Sequence, residues 1–174
     1  MKRHMTLCLA LITFCLSACG GGGGGSSSGV VAGGGSQPTR ATLSISTSGT
    51  LSSGATLSGI GITVTLPAGV TVVTDTGGNV GASVVYVSGV SVPGTVASPL
   101  YTAATASAPA TLSFVVASST ASGFGTGEFA TVNCIIAQGT SPQATDFSLS
   151  GFTPSDLSLQ PVTGLSASFT ALIQ

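Results

Sequence analysis

The feature that most constrains the fold of this 174-residue chain is a two-residue alternation of apolar and hydroxyl side chains that begins at Ala41. In residues 60–66 every even position holds Ile, Val or Leu, and every odd position holds Gly or Thr. Side chains of a β-strand point alternately to opposite faces, so this pattern predicts a strand with one buried face. Similar runs occupy residues 41–48, 70–73, 83–87, 111–117, 129–137, 145–149 and 165–172. Seven to nine short strands without a helical stripe predict an antiparallel β-sandwich.

The chain carries very little charge. Asp, Glu, Lys and Arg make up 4% of it, against about 25% in average domains. Beyond residue 18 there are one base, Arg40, and four acids, so the net charge is 1 − 4 = −3, and neither Lys nor His remains. One arginine cannot neutralise the phosphates of a nucleic acid, and it cannot form a polybasic membrane patch. Because 43% of the residues are hydrophobic, the low charge does not indicate disorder.

The N-terminus has the layout of a bacterial export signal. Lys2 and Arg3 precede an apolar run at residues 5–16 that is too short to span a bilayer. The run ends in the tetrapeptide Leu-Ser-Ala-Cys at positions 16–19, which resembles the lipobox of bacterial lipoproteins. The resemblance implies that residues 1–18 are removed and that Cys19 is lipidated, so that several acyl chains anchor the protein in a membrane. The alternative is an ordinary secretory signal that is cut elsewhere.

The residues after Cys19 predict a tether. Residues 19–40 are rich in Gly and Ser, a composition that behaves as a flexible coil, and we expect them to hold a single domain, residues 41–174, away from the membrane. Gly20 rather than Asp follows the cysteine, and resemblance to enterobacterial lipoproteins then favours the outer membrane. The domain is therefore expected in the cell envelope, with its periplasmic or surface-facing side left open.

Groups that support catalysis are scarce in the predicted domain. The only histidine, His4, belongs to the export signal, so no imidazole or lysine is left as a general base near neutral pH. Two carboxylates would suffice for glycoside hydrolysis, but the spacing of Asp75, Glu128, Asp146 and Asp156 pairs none of them. We therefore predict a protein that is not an enzyme, with no catalytic residue and no cofactor.

Three further features have both a functional and a structural interpretation. Residues 75–79 (Asp-Thr-Gly-Gly-Asn) contain calcium-type ligands, but a turn explains them better and we predict no metal site. Residues 123–127 (Gly-Phe-Gly-Thr-Gly) look like a phosphate loop, yet a strand follows them, so we predict a hairpin connection. Cys134 is alone once the signal has gone, and Val132 and Ile136 share its face, so we predict a buried side chain without a disulfide.

Two segments resemble the cohesin-like domains of bacterial cell-surface and polysaccharide-binding proteins. Residues 61–72 (GITVTLPAGVTV) form a strand and a proline turn, and residues 125–136 (GTGEFATVNCII) are similar to the late cohesin strand that follows a Gly-Glu start. The resemblance covers residues 41–174 and implies a jelly-roll β-sandwich related to carbohydrate-binding modules. The chain departs from cohesins at residues 66–69 (LPAG), where an aromatic-Asp-Pro turn is usual, and it lacks charges for a dockerin-binding face.

Two functions remain open at the level of sequence. The first is a membrane-anchored, non-catalytic binding module that contacts a polysaccharide or a dockerin-like protein. The second is a structural or adhesive surface lipoprotein that acts by self-association. Sheet edges are normally protected by charged side chains, which this chain has few of, and unprotected edges can add strands from another chain.

Overall fold

The computed structural model describes residues 37–174, which form two antiparallel β-sheets packed face to face. The nine strands are β1 (Arg40–Gly49), β2 (Leu57–Leu66), β3 (Val70–Thr71), β4 (Val85–Val87), β5 (Gly94–Thr102), β6 (Ala110–Ser118), β7 (Glu128–Ile136), β8 (Ser148–Asp156) and β9 (Leu165–Ile173). Single 3-10 turns occupy Gly89–Ser91 and Ala144–Asp146. The predicted cleavage site, the lipidation site Cys19 and most of the tether lie outside the described residues. Within residues 37–174, no helix has the length and apolar character needed to cross a membrane.

The first sheet, sheet A, has the strand order β3-β7-β1-β9, and β4 also pairs with β7. Its central strand β1 runs antiparallel to β7, with Arg40 opposite Ile135, and antiparallel to β9, with Ala41 opposite Ile173. Strands β3 and β4 share the outer edge of β7: β3 lies opposite positions 135–136 and β4 opposite positions 130–132. The edge of β7 is therefore left without a paired strand at positions 133–134.

The second sheet, sheet B, has the strand order β5-β6-β2-β8. Strands β2 and β6 pair without interruption, from Gly59 opposite Ala117 to Leu66 opposite Ala110. The two outer strands are irregular, because the register of β5 against β6 shifts once and that of β8 against β2 shifts twice. Such bulges bend an edge strand and interrupt its ladder of hydrogen bonds.

The core lies between the two sheets, where the apolar members of each alternating strand meet. In sheet A these are Ala41, Leu43 and Ile45 of β1 with Val132, Cys134 and Ile136 of β7, and in sheet B they are Ile60, Ile62, Val64 and Leu66 of β2 with Ala110, Leu112, Phe114 and Val116 of β6. Each large side chain that is fully buried contributes about 1.5–3 kcal/mol relative to an exposed one. The two-residue period in the sequence therefore decides which face of each sheet is buried.

The predicted all-β class and its antiparallel pairing are confirmed. The runs at 41–48, 60–66, 111–117 and 165–172 lie in strands β1, β2, β6 and β9, and the run at 129–137 extends one residue past the end of β7. The runs at 70–73 and 83–87 contain the shorter strands β3 and β4. The first strand begins at Arg40, one residue before the predicted start of the domain, because Arg40 exchanges backbone hydrogen bonds with Gln174. The jelly-roll and cohesin-like assignment stays a prediction.

Some of the sequence predictions were wrong. Residues 145–149 are not one strand, since 144–146 form a 3-10 turn and β8 begins at Ser148. Strand β5 and most of β8 were missed because Pro99 and Pro154 are residues that usually interrupt strands, although edge strands tolerate them. Residues 123–127 do not form a hairpin connection: they lie between β6 in sheet B and β7 in sheet A, and the Phe124 side chain is buried in the core.

Candidate functional site

The four carboxylates of the domain lie on separate elements, and three of them serve local turns. Asp75 lies in the loop between β3 and β4, Asp146 in the turn before β8, and Asp156 at the end of β8, while Glu128 begins β7. The backbone N–H of Gln143 donates to Oδ2 of Asp146 at 2.7 Å. Across the described residues, no three His, Cys, Asp or Glu side chains come together as a group that could hold a metal ion.

The interpretation of residues 75–79 as a turn is confirmed. Oδ1 of Asp75 accepts hydrogen bonds from the backbone N–H groups of Gly77 and Asn79, each at 2.8 Å, and Gly78 has a φ of +81°. The side-chain amide of Asn79 donates to Oδ2 of Asp75 at 2.9 Å. This amide, together with the backbone donors, lowers the pKa of Asp75 because all of them favour the charged carboxylate. The carboxylate of Asp75 therefore fixes the conformation of this loop.

A second turn of the same design, which the sequence analysis missed, follows β8. Oδ1 of Asp156 accepts from the backbone N–H groups of Ser158 and Gln160, at 2.8 and 2.9 Å. The residue three positions after the aspartate has positive φ in both turns, but here it is Leu159, with a φ of +59°. The first turn has Gly78 at this position, a residue type that indicates a turn, whereas the second turn has no such glycine. A leucine in a left-handed conformation is rare and cannot be anticipated from sequence.

The prediction that Cys134 is buried is confirmed. Its side chain is 3% exposed and lies in the core on the same face as Val132 and Ile136. Burial raises the pKa of the Cys134 thiol to about 12, since the surrounding apolar groups disfavour the thiolate. Burial also raises the pKa of Tyr101 on sheet B, with a smaller contribution from Cys134. The thiol therefore acts as a core side chain and is poorly suited to nucleophilic chemistry.

The gap between β3 and β4 along the edge of β7 opens a polar groove on the outer face of sheet A, which we call the Arg40 groove. It encloses about 430 Å³. Its lining residues are Arg40, Ala41 and Thr42 of β1, Asn133, Cys134 and Ile135 of β7, Val73, Ser83 and Val84 of the β3–β4 segment, and Gln174 after β9. The cross-strand register places these groups together, because Arg40 lies opposite Ile135 and Thr42 lies opposite Asn133. Side chains on neighbouring strands are thereby held on one rigid surface.

The side chain of Asn133 links two other residues that line the Arg40 groove. Its side-chain amide donates to the carbonyl oxygen of Ser83 at 2.9 Å, and its Oδ1 accepts from the Thr42 hydroxyl at 3.2 Å. The backbone N–H of Asn133 donates to the carbonyl oxygen of Val84 at 2.8 Å. These bonds tie residues 83–84, just before β4, to the stretch of β7 that lies between its pairings with β3 and with β4.

The groove combines hydrogen-bonding groups with apolar surface. Arg40 provides a charged planar donor that suits carboxylates and hydroxyl oxygens. Gln174 pairs with β1 through its backbone, and its side-chain amide adds a further hydrogen-bonding group to the groove. Val73 and Ile135 are 48% and 44% exposed, so they can contact the C–H faces of a ligand. This arrangement can bind and orient a polar, neutral or acidic ligand.

A second groove lies on the outer face of sheet B and is more apolar. It encloses about 490 Å³ over Gly59, Gly61 and Val115, and the loop that carries Leu159 and Pro161 forms one wall. Its two hydroxyl groups, on Thr153 and Ser155, donate to carbonyl oxygens of the two glycines, at 3.4 and 3.3 Å. Few polar groups are left there to orient a hydrophilic ligand.

Sequence reasoning missed the Arg40 groove because its residues are far apart in the chain. From the sequence, Arg40 is placed at the end of the tether and Asn133 within an apolar strand. The available signal was the amide of Asn133 at an outward position within the run 129–137. Tyr86, on β4, is 44% exposed and lies outside both grooves.

No protein-family model matches the chain, and no curated protein or solved structure shows significant similarity to it.

Proposed function

We propose that this chain is a non-catalytic binding module of the bacterial cell envelope that contacts a polysaccharide or a protein through the Arg40 groove. In this proposal a lipid on Cys19 anchors the protein in the outer membrane, and residues 19–40 form a tether that lets the domain reach ligands at a distance from the membrane. The observation that carries the proposal is the groove itself, in which Arg40, Gln174 and two exposed apolar side chains share one rigid sheet face. The resemblance to cohesin-like domains agrees with a binding role but assigns no residue to it.

The non-catalytic part of the proposal rests on how the acidic groups are used. Asp75, Asp146 and Asp156 each accept backbone hydrogen bonds within their own turns, so each already has a role in local structure. Glu128 lies at the start of β7, at the opposite end of that strand from Ile135 in the groove. A binding groove without an adjacent acid–base pair positions a ligand but supplies no proton transfer.

The proposal is tested by measuring ligand binding to the full chain in detergent, on an array of bacterial surface polysaccharides and envelope protein fractions. Arg40→Ala should weaken binding about tenfold or more, because a hydrogen bond to a charged group contributes about 1.5–3 kcal/mol. Gln174→Ala should weaken it several-fold, since a neutral hydrogen bond contributes about 0.5–1.5 kcal/mol. Ser46→Ala, on the same face of β1 but outside the groove, is the matched control and should bind normally.

Two results would contradict this function. Binding that Arg40→Ala and Gln174→Ala leave unchanged would place the contact surface elsewhere on the domain. A chain that binds no polysaccharide and no envelope protein at micromolar concentrations would remove the binding-module proposal altogether.

A second candidate function is a structural or adhesive lipoprotein that acts by self-association. One observation favours it: β9 forms a long outer edge of sheet A in which all nine residues are uncharged. Unprotected edges of this kind accept strands from another chain.

A further inference from the structure

The four outer edges of the two described sheets differ in how well they are protected against pairing with another strand. In sheet A one edge is shared by β3 and β4, which are two and three residues long, too short to template a partner. In sheet B, β5 contains Pro99, and its register shifts between Ala97 and Leu100. Strand β8 contains Pro154, and its register shifts twice. Short length, proline and bulges are the common devices that prevent edge pairing.

Strand β9 has none of these protections. It pairs with β1 over all nine residues in one continuous register, from Ala41 opposite Ile173 to Gly49 opposite Leu165. Its sequence, LSASFTALI, contains no charge, no proline and no glycine. Within the described part of the chain, β1 is the only strand that pairs with it. A long, uncharged edge with a continuous register is the kind of edge that pairs with another strand.

The register also identifies which backbone groups of β9 face outward. Gln174 and Arg40 exchange both N–H···O bonds, each between 2.7 and 2.9 Å, so they form a hydrogen-bonded pair. Opposed residues of an antiparallel ladder alternate between hydrogen-bonded and non-hydrogen-bonded pairs. The even positions 166–172 therefore bond to β1, and the odd positions 165–173 direct their N–H and C=O groups towards the free edge. These odd residues carry the apolar inner side chains Leu165, Ala167, Phe169, Ala171 and Ile173, which pack partly buried against the core.

We propose that β9 pairs antiparallel with β9 of a second copy of this chain, about a two-fold axis through Phe169. This inference rests on the second candidate function, self-association, and does not depend on ligand binding in the Arg40 groove. The pairing would join the two A sheets into one continuous sheet, with about ten new backbone hydrogen bonds from the outward-facing odd positions.

The sequence of β9 indicates that its pairing partner is a second copy of the same strand. A two-fold axis places Phe169 opposite its own copy, Leu165 opposite Ile173 and Ala167 opposite Ala171, so apolar side chains meet apolar side chains on the inner face. On the outer face Ser168 lies opposite Thr170, two hydroxyl residues that pair well across strands. A charged strand would repel its own copy, but β9 has no charge to repel with. The strand is therefore complementary to itself.

The first test measures the mass of the full chain by sedimentation equilibrium in density-matched detergent. The double variant Ser168→Lys with Thr170→Lys places like charges opposite each other twice in the predicted register and should weaken the dimer roughly tenfold. The matched control, Ser168→Lys with Thr170→Glu, places opposite charges there and should restore dimerisation. Both variants change the same two outward, exposed positions, so any cost to folding is shared.

The second test detects the register in intact cells. Ser168→Cys combined with Thr170→Cys puts the new thiols on a non-hydrogen-bonded pair, with Cα atoms about 4.5 Å apart, which a disulfide can bridge. Mild oxidation should give a covalent dimer on a non-reducing gel for this double variant. Each single variant faces a hydroxyl residue of the partner and should give at least several-fold less. The native Cys134 is buried and should not contribute.

The outcomes separate the inference from the function on which it rests. A dimer that the lysine pair weakens and the lysine–glutamate pair restores, with the disulfide found in the double variant, supports β9 pairing. A dimer that both charged variants leave unchanged overturns β9 pairing but leaves self-association standing through another surface. A chain that is monomeric in detergent and gives no disulfide in cells overturns both.

Discussion

Replacing Cys134 with serine tests whether this side chain serves the core. The thiol is 3% exposed and shares its face of β7 with Val132 and Ile136, opposite Ala41 of β1. A hydroxyl buried in such apolar surroundings without a partner costs about 1–3 kcal/mol in mutational data. We therefore expect Cys134→Ser to lower the free energy of unfolding by about that amount.

Urea unfolding of the full chain, followed by circular dichroism, measures the loss. With a slope of about 2 kcal/mol per molar urea, the midpoint should fall by roughly 0.5–1.5 M. Cys134→Ala is the control for lost volume: it removes a group about the size of one methylene, which contributes about 0.8 kcal/mol. The serine variant should thus be less stable than the alanine variant, although its side chain is larger.

Maleimide labelling of the native chain tests the same reasoning chemically. With a pKa of about 12, roughly one thiol in ten thousand is ionised at pH 8, against about one in ten at the ordinary value of 9.0. Labelling of Cys134, located by peptide mass spectrometry, should be about a thousandfold slower in the native chain than in urea. An unchanged urea midpoint for Cys134→Ser, or rapid labelling of the native thiol, would refute its burial.

Three further predictions address the anchor, one turn and one glycine. Cys19→Ser should abolish incorporation of an alkyne fatty acid in growing cells, and continued labelling of the variant would rule out the lipobox. The lowered pKa of Asp75 means that its carboxylate stabilises the fold above the unfolded pKa and that this contribution is lost as the pH falls through the folded pKa. Asp75→Asn should therefore lower the melting temperature at pH 7, and the difference from the native chain should shrink below about pH 4; a constant difference between pH 7 and pH 2 would contradict this. Gly89→Ala should lower the free energy of unfolding by more than about 2 kcal/mol, because alanine is disfavoured at positive φ and because its methyl group would also overlap the Glu128 carbonyl oxygen. Gly54→Ala, also at positive φ but with open space around it, should cost about 1 kcal/mol, and equal losses in denaturant midpoint for the two variants would exclude the overlap.

The strands that sequence reasoning found are those with an unbroken alternation. Strands β2 and β6 pair with strands on both sides, and the buried residues of β6 and of positions 60–66 in β2 all lie at even positions. Alternation is a local property, since the identity of a side chain and its neighbours decides which face is apolar. The edge strands β5 and β8 were harder to recognise, because an edge tolerates the proline and the bulges that obscure the pattern.

The turns divide in the same way. The loop at Asp75 was recognised because its positive-φ position holds glycine, whereas the loop of the same design at Asp156 has Leu159 there. Local hydrogen bonds fix both loops, but only the first has, at the positive-φ position, a residue type that indicates this conformation in the sequence. The placement of residues 123–127 between two sheets was not recognisable, because nothing local distinguishes a hairpin from a connection that changes sheets.

The sequence by itself determined the all-β class, the buried face of the regular strands and the burial of Cys134, and it raised the expectation of a lipid on Cys19. Each of these follows from side chains close together in the chain. Only the tertiary structure decided that β3 and β4 leave a gap beside Asn133, that Arg40 meets Gln174 across that face, and that β9 lies at an open edge. The physical reason is that strand order and cross-strand register join residues up to 134 positions apart, and those pairings are selected by the packing of the whole core rather than by any local pattern.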